Sequence, residues 1–546
     1  MDDIKATNKR KTLIFGIDGG TWDILNPLLE RGVMPCLNRL RESGAWGNLQ
    51  SVVPVNSAAA WSSLVTGMAP EKHGIYDFFA WHSDRAKRTS VNATWLPRPT
   101  LFELMGKLGE VLALKVPMTY PPWPIPGVMV SGLPTPDDET AFTFPSDLAK
   151  RLNPLIEKDS AGRSWELEGD HRYLILSQLE AAQRSLENIT DRLLKDNHPQ
   201  TCFVVARDID ELQHFFWDSL TGKDEYGYLL RIEAYFNSID RYLQRMVDWA
   251  GEEGRIVIMS DHGFGPVEGI WHLNDWLKNK GFLRLKSETG DKKQGKDLPL
   301  SIRLNFALKR RLLRLMQQFG MKGSKLEQSL IRIKMDGSKY VDLGEIDWYG
   351  TMAYAGNVGE ELLPIFINLH GREPWGIVTP EIYDSVRDDL KKTLEENSNP
   401  MVLTVHRCED IFAVDDPQKS SAPDLIVETI NGAVQSDFCV NQDETFQRSR
   451  YRNGCHRRQG MFILAGADVK PQHADASLLD VPATILAWQG INPPAFYDGQ
   501  ILHQLIDSIS TPEETAEIER IIGDKTCFSE DDEEGVRKKL ESLGYM

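Results

Sequence analysis

Short apolar runs recur along the chain, and they constrain its fold more than any other feature of the sequence. Five of them have the length and composition of buried β-strands: TLIFGID (12–18), TCFVVAR (201–207), RIVIMSD (255–261), DLIVET (424–429) and GMFILAG (460–466). Amphipathic helical patterns lie between many of these runs. Buried strands that alternate with such helices predict an α/β fold, with a mostly parallel central sheet and helices on both faces.

Three of the predicted strands lead directly into side chains that can bind metal ions. The first ends at Asp18, the second is followed by Asp210 and His214, and the third ends at Asp261 and is followed by His262. In open α/β sheets, ligands bind at the carboxyl ends of the strands. Isolated buried carboxylates are costly, and metal coordination removes that cost. We therefore expect these side chains to converge on one site.

Each of these residues also has a purely structural interpretation. Asp18 precedes two glycines and could cap a turn, His214 could be a core histidine, and Asp261-His262-Gly263 could form a tight turn. As a set, they favour metal binding, because Asp and His supply the oxygen and nitrogen ligands of zinc or manganese. The set has enough ligands for two ions, and two neighbouring ions suit phosphoryl transfer.

The stretch VNSAAAWSSLVTGMAPEKHGI (55–75) contains the candidate nucleophile, Ser57. On the local pattern alone, a serine before Ala-Ala-Ala-Trp is favoured as the N-cap of a helix. A helix N-terminus also attracts a phosphoryl anion through its dipole and its free N–H groups. Capping and nucleophilic attack are therefore compatible at this position, and the pattern leaves both open.

The amino-acid composition limits the kinds of molecule that the chain is expected to bind. The chain has 80 acidic and 62 basic residues and a net charge of −18, which argues against a nucleic-acid polymer as partner. A small phosphorylated substrate held by metal ions remains compatible with this charge. Six cysteines without CxxC spacing, and an N-terminus without an apolar signal segment, predict a cytoplasmic protein. Oligomeric state has no signal in the sequence.

The organisation along the chain predicts a core built from two parts, 10–284 and 346–510. Between them, the pattern changes to a polar and basic segment, 285–345, which we expect to be a helical insertion or cap. Leucines and arginines at helical spacing in 300–319 predict a helix packed on the domain, with contact to a membrane surface as the alternative. Residues 511–546 form an acidic and then helical C-terminal appendage.

The ordered set of motifs resembles the alkaline phosphatase superfamily, most closely its type I phosphodiesterase/nucleotide pyrophosphatase family. The resemblance rests on Asp-Gly after the first strand, Ser57 followed by LVTGMAPEKHGI, Asp210-x-x-x-His214, SDHGFGP and a late Gly-Cys-His. It extends from Thr12 to about residue 502 and weakens through the insertion. It implies a single α/β core, two metal ions that are usually zinc, and a Ser or Thr nucleophile.

The resemblance also implies a role for each residue. It assigns two groups of three ligands, one beside the Ser57 oxygen and one for the second ion: Asp18, Asp261 and His262; and Asp210, His214 and His456. His456 enters through the resemblance alone, because it does not follow a predicted strand. Ser57 would attack phosphorus and form a phosphoseryl intermediate that water then hydrolyses.

One motif departs from the family pattern. Many members have an Asn three residues after the nucleophile that helps to hold a phosphate oxygen, and this chain has Ala60 there. Asn56 or the first N–H groups of the helix could supply donors instead, and Trp22 is a candidate for lining the substrate pocket.

The sequence thus favours a phosphodiesterase-like hydrolase that acts on a small phosphorylated substrate. The alternatives are a phosphomutase or phosphotransferase, a phosphate monoesterase, and a non-catalytic metal-binding homologue.

Overall fold

The computed structural model describes residues 10–82, 87–136, 141–156, 172–286 and 345–542. The last range has gaps at 357–358, 374, 397–401, 421, 438, 443, 449–451, 510–517, 525 and 527. The predicted helix at 300–319, and nearly all of the predicted insertion, therefore lie outside the described residues. Within them, no helix is both long enough and apolar enough to cross a membrane.

The strands are numbered in chain order. They are β1 (Thr12–Ile17), β2 (Ala45–Gln50), β3 (Phe79–His82), β4 (Lys87–Ser90), β5 (Val111–Leu114), β6 (Gly127–Val130), β7 (Thr143–Phe144), β8 (Thr201–Ala206), β9 (Arg255–Met259), β10 (Gly263–Pro266), β11 (Gly269–His272), β12 (Ala353–Tyr354), β13 (Leu362–Ile367), β14 (Val402–Arg407), β15 (Leu425–Thr429), β16 (Val434–Asp437), β17 (Phe446–Arg448), β18 (Gly454–Arg457), β19 (Gln459–Ala465), β20 (Gln472–His473) and β21 (Ala476–Ser477).

The α-helices are numbered in the same way. They are α1 (Trp22–Glu30), α2 (Pro35–Ser43), α3 (Ser57–Thr66), α4 (Pro70–His73), α5 (Leu101–Met105), α6 (Leu148–Leu152), α7 (Arg172–Asp196), α8 (Asp208–Leu220), α9 (Leu229–Ala250), α10 (Leu273–Asn279), α11 (Tyr383–Glu396), α12 (Cys408–Ile411), α13 (Asp480–Trp488) and α14 (Glu530–Ser542).

A large central sheet has the strand order β20-β2-β19-β9-β1-β8-β5-β6-β7, and β21 pairs with β2. Strands β9, β1, β8, β5 and β6 are parallel neighbours. The antiparallel strand β19 separates β9 from β2. This arrangement confirms the predicted α/β fold with a mostly parallel sheet. Four of the five predicted strands lie in it, and their ends agree with the prediction to within two residues.

Helices cover both faces of the sheet, because the central strands are apolar on both sides. In β1, Leu13 and Phe15 belong to the core on one face, and Ile14 belongs to the core on the other. This alternation follows from the two-residue period of a strand. Helices α1, α2, α7, α8 and α9 contribute to the first core, and α3, α5, α13 and α14 contribute to the second.

The fifth predicted strand, DLIVET, forms β15, which lies in a different sheet. It belongs to a four-stranded sheet of order β12-β13-β15-β14, in which all the described pairings are antiparallel. Two further small sheets, β16-β11-β17 and β10-β18, each pair strands from both sides of the predicted insertion. The chain then returns to the central sheet at β19, so the region predicted as the second part of the core also contributes strands to these smaller sheets.

The C-terminal helix α14 is anchored to the central unit. Val536 and Leu540 are fully buried. The carboxylate of Glu533 accepts hydrogen bonds from the backbone N–H and the hydroxyl of Ser90, both at 2.9 Å. The helical segment predicted within 511–546 thus packs against the second core.

One buried contact between helices provides a test of the fold. The N-cap residue of α2, Met34, makes no side-chain capping bond, and the N–H groups of Cys36 and Leu37 instead donate to Asp240 on α9, both at 2.9 Å. We expect Asp240→Ala to lower the free energy of unfolding by about 1–3 kcal/mol, because two buried donors lose their acceptor.

Urea denaturation measures this change. Asp248→Ala, on an exposed position of the same helix, is the matched control and is expected to change stability by less than about 0.5 kcal/mol. Equal stabilities of the two variants would contradict the capping role of Asp240.

Candidate functional site

The predicted ligands converge because β1 lies between β8 and β9. Asp18 follows β1 directly, Asp261 comes two residues after β9, and Asp210 lies in the first turn of the helix that follows β8. His214 is one turn further along that helix, and His262 follows Asp261. All five side chains are at most 2% exposed. These five side chains, which follow three strands of the central sheet, therefore lie together in the interior of the protein.

The first group of ligands contains Asp18, Asp261 and His262. The Nε2 atom of His262 lies 3.7 Å from Asp18 Oδ1 and 3.3 Å from Asp261 Oδ2. Asp18 Oδ2 accepts a hydrogen bond from the Trp61 indole at 3.2 Å, and Asp261 Oδ1 accepts one from the Gly19 N–H at 3.1 Å. Asp261 Oδ2 is buried and makes no hydrogen bond to any residue that the structure describes. A buried carboxylate oxygen in this state fits a metal ligand.

The second group contains Asp210, His214 and His456. His456 Nε2 lies 2.9 Å from Asp210 Oδ1, and His214 Nε2 lies 3.6 Å from the same oxygen. The rings of His262 and His456 have their centroids 3.9 Å apart. The two groups therefore adjoin and form one continuous cluster.

A two-stranded ribbon brings His456 to this cluster. Strand β10 begins directly after His262, and it pairs antiparallel with β18, so that Phe264 lies opposite His456. Reasoning from strand ends could not find His456, because the residue lies inside an antiparallel strand that is distant in sequence. The late Gly-Cys-His of the family pattern was the signal that identified it.

Ser57 is the first residue of α3, and the expectation that it caps this helix is wrong. The N-cap is Asn56, whose Oδ1 accepts from the Ala59 N–H at 2.9 Å and whose Nδ2 donates to the Tyr76 carbonyl at 2.7 Å. The Ser57 hydroxyl instead lies 3.3 Å from His262 Nε2 and 3.4 Å from Asp18 Oδ1. It is therefore directed at the first ligand group.

Burial and the neighbouring charges shift the pKa values of the ligand side chains. Burial raises the pKa of Asp18 well above its usual range, and repulsion from Asp261 and Asp210 adds to this effect. Burial lowers the pKa of His214 to about 3, and the nearby Arg452 contributes to this shift. His214 is therefore neutral at pH 7, which is the form that binds metals. A divalent cation would offset the repulsion among the carboxylates.

Two residues that the sequence analysis did not identify complete the cluster. Glu360 lies two residues before β13, and its Oε2 accepts from the His456 backbone N–H at 2.6 Å. The Arg452 guanidinium lies 3.3 Å from Glu360 Oε1 and 3.0 Å from His214 Nε2. Although burial raises the pKa of Glu360, His456, His214 and Arg452 lower it to about 2. A glutamate before an apolar run is common on protein surfaces, so the sequence offered no specific signal.

Trp22 lies apart from these contacts. Its indole donates to the Gly47 carbonyl at 2.8 Å, and its ring packs edge-on against Trp46 with a centroid distance of 5.2 Å. These contacts are with β2 of the central sheet. A role for Trp22 in lining the substrate pocket stays a prediction.

Comparisons with known proteins identify the family of the chain. A family model described as type I phosphodiesterase / nucleotide pyrophosphatase matches residues 12–436. His456 lies beyond this range, so its place in the site depends on the ribbon of β10 and β18.

Two similar solved structures are a phosphonoacetate hydrolase from Sinorhizobium meliloti 1021 in complex with phosphonoacetate and the human ectonucleotide pyrophosphatase / phosphodiesterase 5. The first is 15% identical with a TM-score of 0.50 and covers 87% of this chain and 94% of its own. The second is 14% identical with a TM-score of 0.49 and covers 91% and 100%. The first likeness is one of fold. Because the family model spans most of the sequence, the chain belongs to the type I phosphodiesterase / nucleotide pyrophosphatase family.

Proposed function

We propose that this protein is a two-metal phosphoryl-ester hydrolase of the phosphodiesterase type, with Ser57 as its nucleophile. Family membership supports the reaction class. The observation that carries the assignment of the nucleophile is the position of the Ser57 hydroxyl, 3.3 Å from His262 Nε2 and 3.4 Å from Asp18 Oδ1. Because Asn56 caps the helix, the Ser57 hydroxyl is not needed for that purpose.

The side chains present fit two divalent cations. Asp18, Asp261 and His262 would hold one ion, and Asp210, His214 and His456 would hold the other. Ligand atoms of Asp18, Asp261 and His262 lie within 4.8 Å of one another, as do those of Asp210, His262 and His456. When bound, such ions polarise phosphoryl oxygens and stabilise negative charge on the attacking and leaving oxygens. The family resemblance favours zinc, and manganese is the alternative.

The reaction on Ser57 has two steps. The Ser57 oxygen attacks phosphorus, the bond from phosphorus to the leaving oxygen breaks, the proton of the Ser57 hydroxyl passes to the leaving alcohol, and a phosphoseryl intermediate forms. Water then attacks the same phosphorus, and the bond from phosphorus to the Ser57 oxygen breaks. The hydroxyl of the water stays on the phosphate and its other proton goes to the Ser57 oxygen, so the serine is regenerated and the products are an alcohol and a phosphate monoester.

The N-terminus of α3 supplies donors for the phosphoryl oxygens. The N–H groups of Ser57 and Ala58 lie in the first helical turn and have no acceptor within the helix. Free N–H groups at a helix N-terminus can bind an anion there, and the helix dipole also favours negative charge. The side-chain amide of Asn56 is engaged at both its oxygen and its nitrogen. We therefore propose that these two N–H groups, rather than the Asn56 side chain, donate hydrogen bonds to the phosphoryl oxygens.

The substrate is a small phosphorylated molecule, and the reaction takes place in the cytoplasm. The cysteines that the structure describes are Cys36, Cys202, Cys408, Cys439 and Cys455, and all of them are free. Free thiols support a reducing compartment.

Replacement of the nucleophile tests this proposal. We expect Ser57→Ala to lower kcat/KM for bis(p-nitrophenyl) phosphate more than about 10³-fold, because no other group in its place can form the covalent intermediate. Ser62→Ala is the matched control, since Ser62 lies in the same helix, is fully buried and has a hydroxyl without a hydrogen bond. The wild-type protein should cleave the diester faster than p-nitrophenyl phosphate.

Four outcomes would contradict parts of this account. Faster cleavage of the monoester would favour a phosphate monoesterase. Transfer of the phosphoryl group to an added alcohol in preference to water would favour a phosphotransferase. Full activity of Ser57→Ala would remove Ser57 as the nucleophile, and a metal-loaded protein inactive on every ester tested would favour the non-catalytic homologue.

Metal removal gives an independent test. Dialysis against a chelator should abolish turnover, and about two equivalents of zinc or manganese per chain should restore it. Histidine binds metals in its neutral form, and although burial lowers the pKa of His456, Glu360 and Asp210 raise it above its usual range. Metal content and activity should therefore fall together as the pH drops below about 6 and His456 becomes protonated. Elemental analysis after desalting at each pH measures the metal content. Full activity in the chelated protein would contradict the two-metal proposal.

A further inference from the structure

Glu360 is a buried carboxylate at the ligand cluster that has no part in the reaction as described so far. Its side chain is 6% exposed. One carboxylate oxygen, Oε1, contacts Arg452 and Gln435. The other oxygen, Oε2, accepts from the His456 backbone N–H at 2.6 Å, and one carboxylate oxygen of Glu360 lies within 4.8 Å of ring nitrogens of His214 and His456.

The two ring nitrogens of His456 face different partners. Nε2 lies 2.9 Å from Asp210 Oδ1, on the side of the ligand cluster. Nδ1 lies 3.1 Å from Glu360 Oε2 and 3.2 Å from the Val55 carbonyl oxygen. Both partners of Nδ1 are acceptors, so they favour a proton on this nitrogen. A neutral ring with its proton on Nδ1 presents the lone pair of Nε2 to a metal ion.

We propose that Glu360 is a positioning residue that holds His456 as a metal ligand. It fixes the orientation and the tautomer of the ring through Nδ1, and it fixes the backbone of β18 through the His456 N–H. This role rests on the proposed function only in that His456 must bind a metal ion.

Arg452 offsets the free-energy cost of burying the Glu360 carboxylate. A buried anion is costly unless it is paired and hydrogen-bonded. Arg452 supplies the opposite charge, while Gln435 and the His456 N–H supply hydrogen bonds. These contacts therefore hold the Glu360 carboxylate in place beside His456.

The neighbouring residue Glu361 offers a matched control. Its carboxylate accepts from the backbone N–H of Arg458, two residues after His456. Both glutamates therefore bind backbone N–H groups on or next to β18, and they differ in that only Glu360 also faces the His456 ring. Comparison of the two separates an effect on the metal ligand from a general effect on the strand.

The experiment measures zinc affinity in the full-length protein. Metal-free wild type, Glu360→Gln and Glu361→Gln are titrated with zinc against a chromophoric chelator that resolves the two binding steps. We expect Glu360→Gln to weaken one of the two steps about 10–100-fold and to leave the other within about twofold, as for outer-shell partners of ligating histidines. Glu361→Gln should leave both steps unchanged.

Thermal unfolding of the metal-free variants completes the test. Similar midpoints for wild type and Glu360→Gln, together with one weakened step, support the positioning role. Unchanged zinc affinity in Glu360→Gln overturns it, and so does equal weakening in both variants. If the wild type itself binds no second ion, the two-metal proposal fails and this role fails with it. If the wild type binds two ions and Glu360→Gln binds them equally well, only the role of Glu360 fails.

Discussion

The charge of three buried carboxylates at one edge of the central sheet is the constraint around which the site is arranged. Asp18, Asp210 and Asp261 are each at most 2% exposed. They lie there because β1 and β9 end at this edge and α8, which follows β8, begins there. Hydrogen bonds from the Trp61 indole and the Gly19 N–H offset part of their burial, but Asp261 keeps one oxygen without a hydrogen bond. Divalent cations would supply the missing positive charge.

At the start of α3, two adjacent residues have different roles. Asn56 satisfies a free N–H group of the helix, and Ser57 places its hydroxyl against the first ligand group. The helix N-terminus can therefore provide a hydroxyl directed at the ligand cluster and free N–H donors at one place, and both are what attack on a phosphoryl group requires.

The local sequence pattern was sufficient to predict the strands that end at the site. It was insufficient to predict the residues that reach the site from distant parts of the chain. TLIFGID, TCFVVAR and RIVIMSD are unbroken apolar runs, so they predicted β1, β8 and β9 and the acidic residues that follow them. DLIVET has the same character, but an apolar run does not specify which sheet it joins, and β15 lies in the antiparallel sheet. His456 and Glu360 reach the cluster through the β10-β18 ribbon and the segment before β13, and such non-local pairings leave no periodic signal. The cap was misplaced by one residue because Asn and Ser are equally good N-caps.

The central claim is that Ser57 carries the phosphoryl group during turnover. The most direct measurement is mass spectrometry of peptides from zinc-loaded protein that is mixed with bis(p-nitrophenyl) phosphate and quenched in acid within one turnover. The account predicts a mono-(p-nitrophenyl) phosphate adduct on the peptide that contains Ser57, located at Ser57 by fragmentation, which disappears as turnover is completed. An adduct on another residue, or none during rapid turnover, would contradict the account.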